Sequence, residues 1–307
     1  MTVALVTHPA CLEHRNAPWH PESPHRLEAV RVALARGPVG RGAASWVEAP
    51  RAGREDVLRV HTPAHLDHLE ALDRAGGGAL DPDTLLGPGS LEAAWRAAGA
   101  AVHAAELALA GGGPAFCPVR PPGHHATPSK AMGFCLLNNA AIAARTALER
   151  LGAARVLIVD WDVHHGNGTA DAVRAEPRAR YVSLHQWPWY PGTGAEDDVG
   201  AGNLFHVPRG PGLPRERYVA DLLAAVDRAV DGFAPSLVVF SAGFDALAGD
   251  PLGGFTLEPD DFHHLTGAIR ARAPGAAVVS VLEGGYDVAR LAEAACRHVD
   301  ALASPPG

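Results

Sequence analysis

The stretch VLIVDWDVHHGNGT, residues 156–169, constrains this chain more than any other. Val156 to Val159 is an apolar, β-branched run of the kind that a parallel sheet buries on both faces. It ends in a burst of ionisable side chains. An extended backbone continuing to His164 sends alternate side chains to opposite faces, so Asp160, Asp162 and His164 are predicted to share one side. Gly166 and Gly168 then allow a sharp turn and a close backbone approach, at the carboxyl end of a strand where α/β folds carry function. A solvated strand end is the ordinary reading of such a cluster. Burying two aspartates beside each other is costly unless a cation or hydrogen bonds compensate, so a bound metal is the expectation here.

The rest of the chain alternates strand and helix patterns. Residues 3–7 read as a strand, followed by a long polar, proline-rich loop and the helix candidate LEAVRVALA. Residues 55–74 are helical in pattern, with Pro63 suited to a helix start. Residues 75–90 are loop chemistry, and the alanine-rich 91–110 is a helix closed by Gly111 to Gly113. PAFCPV is strand-like, RPPGHHATPSKAMGF is irregular, and CLLNNAAIAARTALERLG has helical composition. RYVSLH is a strand, and QWPWYPGTGAEDDVGAG a loop with three aromatics. Residues 215–231 read as a helix, SLVVFSAGFDA and AAVVSVLEGGYD as strands running into glycine and aspartate, and 288–302 as a closing helix. This alternation predicts an α/β fold: one domain over residues 1–307, with a mainly parallel central sheet and helices on both faces. Loops carrying Asp162 and His164, Asp245 and Tyr286 then fall along one sheet edge.

A chain of 307 residues buries a full core without staples. Cys11, Cys117, Cys135 and Cys296 form no C-x-x-C pair, which argues against a thiolate metal site or a disulfide framework and for a reducing compartment. With no basic-apolar leader and no apolar run near twenty residues, a soluble cytoplasmic protein that does not enter membranes is expected. The net charge of −8, the single lysine Lys130 and the scattered arginines give no nucleic-acid surface. Histidines are many, and His61, His65 and His68 read as surface or packing residues.

Taken together, HPESPHRLEAV, RPPGHHA, GFCLLNNAAIAA, VDWDVHHGNGT, PGTGAEDDVG, SAGFDALAGDPLGG and LEGGYD resemble the histone deacetylase superfamily over nearly the whole chain. The likeness is closest to bacterial histone-deacetylase-like amidohydrolases and class II deacetylases. It implies a zinc-dependent enzyme that removes acetyl or other short acyl groups from the side-chain amine of acyl-lysine. The zinc ligands fall on Asp162, His164 and Asp245, one ion per chain, with a coordination position left open. Asp160 matches an aspartate that orients His124. His125 matches the general base, which takes a proton from the attacking water and returns it to the leaving amine, and His124 an electrostatic supporter.

Asn167 stands where some class I relatives have aspartate; an amide raises a histidine pKa less than a carboxylate does. Tyr286 matches the hydroxyl that donates to the forming oxyanion. Gly133, Phe134 and Tyr190 match the acyl-lysine tunnel, with Leu252 at its gatekeeper position and Trp187 and Trp189 nearby. Asp160, Ser183 and Leu184, with the backbone of Asp162 and His164, match an inner structural potassium site.

Three other readings compete. Arginase-like hydrolases need more carboxylates for two bridged cations than Asp162, Val163, His164, His165 and Gly166 provide. A non-catalytic acyl-lysine binder has no use for Tyr286. An acetylpolyamine deacetylase, acting on a small acetylated amine, carries a glutamate gatekeeper where this chain has Leu252. Acids at Asp81, Asp83, Glu196, Asp197 and Asp198 keep that third reading in play, because a cationic chain favours an acidic entrance. Association with further copies of the chain is compatible with all of these.

Overall fold

The computed structural model of the protein describes residues 1–305; positions 306 and 307 of the expected single domain lie outside the described residues. In chain order the elements are β1 (Val3–Thr7), α1 (Pro24–Leu34), β2 (Ala44–Glu48), α2 (Arg54–Val57), α3 (Pro63–Arg74), the short hairpin β3 (Gly78–Ala79) and β4 (Leu85–Leu86), and α4 (Ser90–Leu109). β5 (Ala115–Cys117), α5 (Asn139–Glu149), β6 (Val156–Asp160), α6 (Asn167–Val173), β7 (Ala179–Gln186) and β8 (Leu204–Arg209) follow. The chain continues through α7 (Arg215–Val230), β9 (Leu237–Ala242), α8 (Pro259–Arg272), β10 (Ala277–Leu282) and α9 (Val288–Ala303).

Eight strands form one sheet in the order β2-β1-β5-β10-β9-β6-β7-β8. Every pairing in it is parallel, as the alternating pattern predicts. Helices cover both faces, because strands that are apolar on both sides have no face to offer water. α1, α7, α8 and α9 pack one apolar layer against the sheet, and α4, α5 and α6 the other. β6 lies near the middle, with Asp160 opposite Ser183 of β7 and Ser241 of β9.

Local chemistry sets the helix ends. Pro63 opens α3 behind Thr62, whose hydroxyl accepts from the His65 N–H, so the predicted helix over 55–74 divides in two. Asn138 caps α5 through the Ala141 N–H, which leaves residues 135–138 irregular instead of helical. Glu258 and Asp261 form a reciprocal capping box at α8. Asp287 caps α9.

Several elements go beyond the sequence reading, among them the β3–β4 hairpin inside the expected loop over 75–90, and α6. β2 and β8 are the two sheet edges, and edge strands do not need a continuous apolar run. α8, PDDFHHLTGAIRAR, is polar over much of its surface and buries Phe262, Leu265 and Ile269 among charged neighbours. No helix among the described residues is long and apolar enough to cross a membrane.

Candidate active site

The loops at the carboxyl ends of β6, β9 and β10 meet the irregular segment after β5, as the sheet topology requires. β6 stops at Asp160, earlier than the extended backbone expected to His164. Side chains then shape the turn: Asp160 Oδ1 accepts from the Asp162 N–H at 3.1 Å, and Asp162 Oδ1 from the His164 N–H at 2.9 Å. Each bond spans two residues, the short-range pattern by which aspartate replaces strand pairing. Alternation of environment survives the turn. Trp161 and Val163 enter the apolar core, while Asp162 and His164 face the site.

Asp162, His164 and Asp245 each offer a ligand atom, all within 4.8 Å of one another, and all three residues are buried. His164 Nδ1 lies 3.0 Å from Asp162 Oδ1 and 3.2 Å from Asp245 Oδ2. Asp245 Oδ1 accepts the Val163 N–H at 2.8 Å, but its buried Oδ2 has no hydrogen-bond partner. An orphaned carboxylate oxygen aimed at two other ligand atoms fits a bound cation. A side chain at Gly284 would overlap the carboxylates of Asp162 and Asp245, and one at Gly243 that of Asp162, so both backbones must lack a Cβ.

The charges are strongly coupled. Burial pushes Asp245 up and the Asp162 carboxylate adds to it, to about 7. Burial acts the same way on Asp162, but the imidazoles of His124 and His164 outweigh it and hold that carboxyl well below its usual range. Burial lowers His164, yet Asp162 and Asp245 together hold it up at about 9. Mutual repulsion among buried acids with few cations is the electrostatic counterpart of the orphaned oxygen.

His124 and His125 differ sharply although their rings are 4.0 Å apart. His124 Nδ1 lies 3.1 Å from Asp160 Oδ2, which also accepts the Tyr181 hydroxyl at 2.9 Å. Burial lowers His124, but the Asp162 and Asp160 carboxylates overcome it and raise it to about 10. His125 Nδ1 instead meets the neutral Asn167 Oδ1 at 2.8 Å. Burial, then the charges of His124 and His164, hold His125 well below its ordinary value. The surroundings thus favour the charged form of His124 and the neutral form of His125.

A cavity of about 210 Å³ leads to this cluster, lined by His124, His125, Gly133, Phe134, His164, Tyr190, Leu252 and Tyr286, with Asp83 and Trp189. Gly133 packs its backbone against the His125 ring, where a Cβ would clash. Phe134 has a φ of 69°, a left-handed conformation that only Gly adopts freely. Its ring meets Tyr286 edge-on at 6.0 Å, and Tyr190 meets His125 at 5.0 Å. Burial keeps the Tyr286 hydroxyl well above its usual pKa, with Arg26 opposing. Ser183 and Leu184 lie in β7, with Ser183 in register with Asp160, and do not line the cavity; Ser183 Oγ contacts His185 Nδ1 at 3.0 Å. Of the acids expected at the entrance, Asp83 lines it, while Asp198 is paired with Arg174.

Several supporting residues escape sequence reasoning. Arg26 donates to the carbonyls of Gly285 and Glu283, each at 2.6 Å, and its guanidinium lies 4.8 Å from the Tyr286 ring centre. Glu22 holds both Arg26 and Arg120 in a buried network. The Glu283 carboxylate accepts the N–H groups of Gly123 and His124 at 2.6 and 3.1 Å, bracing the histidine loop. His61, expected as packing, braces it too, accepting the Asn138 N–H and reaching the Thr127 carbonyl. His165, His185 and His206 tether Thr193, Gly194 and Ala195 in the loop that carries Tyr190. The HPESPHR and LEGGYD segments were visible in sequence; their long-range partners were not.

The profile described as the histone deacetylase domain matches residues 20–302. The chain is 38% identical to the histone deacetylase-like amidohydrolase of Pseudomonas aeruginosa, over 88% of this chain and 80% of that protein. It is 37% identical to a probable deacetylase of Methanothermobacter thermautotrophicus, over 92% of this chain and 86% of that one. The crystal structure of the HDA15 HD domain superposes with a TM-score of 0.91 at 36% identity, covering 97% of this chain and 90% of that one.

Proposed function

Because the chain belongs to the histone deacetylase family, a family of amide-hydrolysing deacetylases, we propose that it removes acetyl or other short acyl groups from the side-chain amine of acyl-lysine, using one zinc ion. The observation that carries this reading is the unequal histidine pair beside a three-ligand metal cluster at the end of an aromatic-walled cavity. Asp162, His164 and Asp245 would hold the zinc. Bound there, it supplies Lewis-acid polarisation of the scissile carbonyl and of water.

The chain's own groups do the rest. Asn167 Oδ1 can only accept, so His125 carries its proton on Nδ1 and presents a bare Nε2 to the cavity. That nitrogen takes the proton from the attacking water as its oxygen bonds to the acyl carbon, then gives it to the amine as the C–N bond breaks. The Tyr286 hydroxyl, kept protonated by its surroundings, donates to the carbonyl oxygen as negative charge builds. His124, held cationic, stabilises the same charge through the field of the site, and Asp160 orients its ring. Phe134 and Tyr190 bracket the methylene chain, with Gly133 and Leu252 beside them.

Asp160 and Ser183, neighbours across the β6–β7 ladder, together with Leu184 and the backbone of Asp162 and His164, are the groups for a structural potassium ion. Four unpaired cysteines, of which Cys11, Cys117 and Cys135 are buried, agree with a reducing, cytoplasmic setting. One observation favours a cationic small amine instead: Asp83 lies at the cavity mouth. Leu252, at the same mouth, provides no second charge. Turnover of acetyl-lysine peptides and acetylated polyamines, with and without a chelator, tests the reading; faster hydrolysis of the polyamines would replace it.

A further inference from the structure

We propose that Asp250 is a positioning residue that couples the mouth of the cavity to Tyr286. Its side chain is 5% exposed and, among the described residues, pairs with no arginine or lysine. Oδ1 accepts the Leu252 N–H at 2.9 Å. Oδ2 accepts the N–H of Tyr286 at 2.7 Å and that of Asp287 at 3.2 Å. These donors belong to two different loops, one after β9 and one after β10. The Leu252 carbonyl in turn accepts Trp189 Nε1 at 2.9 Å, from the loop after β7. One buried carboxylate therefore fixes the backbone of two residues whose side chains line the same cavity.

The frame of both loops has other supports. Ala248 N–H donates to Leu257 and Leu257 N–H to Ala246, closing the base of the β9 loop, and Asp287 caps α9 with its own carboxylate. Both loops are thus also held by bonds that do not involve Asp250. Its carboxylate reaches three amides, that of Leu252 in one loop and those of Tyr286 and Asp287 in the other. A carboxylate suits three N–H donors, whereas an amide presents an NH₂ to one side and leaves that side unpaired. Charge-assisted bonds of this kind are roughly twice as strong as neutral ones, enough to hold a hydroxyl to the geometry an oxyanion demands.

The inference rests on the reading of Tyr286 as oxyanion donor, and the test separates the two. Zinc-loaded full-length parent, Asp250→Asn, Asp250→Ser, Tyr286→Phe and the double variant Asp250→Asn with Tyr286→Phe are compared on one acetyl-lysine peptide, with zinc content and peptide-resolved hydrogen exchange measured on each. Asp250→Asn should keep parental zinc and lose about 10–100-fold in kcat, the scale of a broken charge-assisted bond, with KM changed far less. In the Tyr286→Phe background the same change should alter kcat less than about twofold, because the hydroxyl it positions is gone. Segments containing Leu252 and Tyr286 should both exchange faster in the Asn and Ser variants, whether or not the peptide is turned over. Multiplicative losses in the double variant, or unchanged exchange in either segment, would overturn the coupling. A parent with no amide hydrolysis would overturn the functional reading alone.

Discussion

His125 Nδ1 lies 2.8 Å from Asn167 Oδ1, so the histidine facing the cavity leans on a neutral group. Its neighbour His124 leans on a carboxylate and is held at about 10, while His125 is kept well below its ordinary value. The contrast in one pair of partners is what the proposed roles of base and cation rest on.

Asn167→Asp should therefore cost activity through protonation. A carboxylate raises the pKa of a nearby imidazole by roughly 1–3 pH units, and the base works only when neutral. The acid limb of kcat/KM should move upward by that amount, with turnover at pH 7 reduced and turnover at high pH retained. An unmoved limb would mean that another group serves as the base.

Tyr286→Phe should keep fold and metal but lose about 10²–10³-fold in kcat, the size expected of one oxyanion donor. Metal analysis beside steady-state kinetics checks this. Near-parental turnover would remove Tyr286 from the chemistry.

Metal affinity should depend steeply on pH. In the metal-free protein Asp245 sits at about 7 and His164 at about 9, and both must be deprotonated to act as ligands. Zinc binding should release about one proton between pH 7 and 9 and about two below pH 7, weakening roughly tenfold per proton per pH unit as the pH falls. Calorimetry in buffers of different ionisation enthalpy counts those protons. Zinc binding without proton release would contradict the ligand set.

Substrate choice should respond to Leu252. Leu252→Glu adds a charge at a mouth that already holds Asp83. An exposed pair with a distant ammonium is worth about 0.2–1 kcal/mol, more if water is excluded. The ratio of kcat/KM should shift from acetyl-lysine peptide toward acetylated polyamine. An unchanged ratio would show that Leu252 does not face the bound chain.

Much of this candidate site was legible in the sequence because its residues sit just beyond the ends of apolar strands, where pattern and chemistry coincide: Asp162 and His164 after VLIVD, Asp245 after LVVFSA, Tyr286 after VVSVL. The parallel sheet follows from the same strands. The residues that position the machinery were not legible. Glu22 meets Arg120 across 98 positions, and Arg26 meets Glu283 across 257. Such partners are chosen by the fold, and no local period marks them. β2 was missed because ASWVE is mostly exposed at a sheet edge, and β8 because Pro208 interrupts LFHVPR where an edge strand tolerates it. The turn at Asp162 was misread as extended, since side-chain bonds from Asp160 and Asp162 reproduce by another route the alternation that a strand would give.

The most direct test is a titration of zinc into metal-free protein, followed by turnover of an acetyl-lysine peptide. One buried cluster of Asp162, His164 and Asp245 predicts activity rising linearly to one equivalent per chain and then remaining flat, with Asp245→Ala inactive and unable to retain the metal. Activity that needs a second equivalent, or an Asp245→Ala variant that holds zinc and turns over at the parental rate, would contradict a single-metal amidohydrolase built on these three residues.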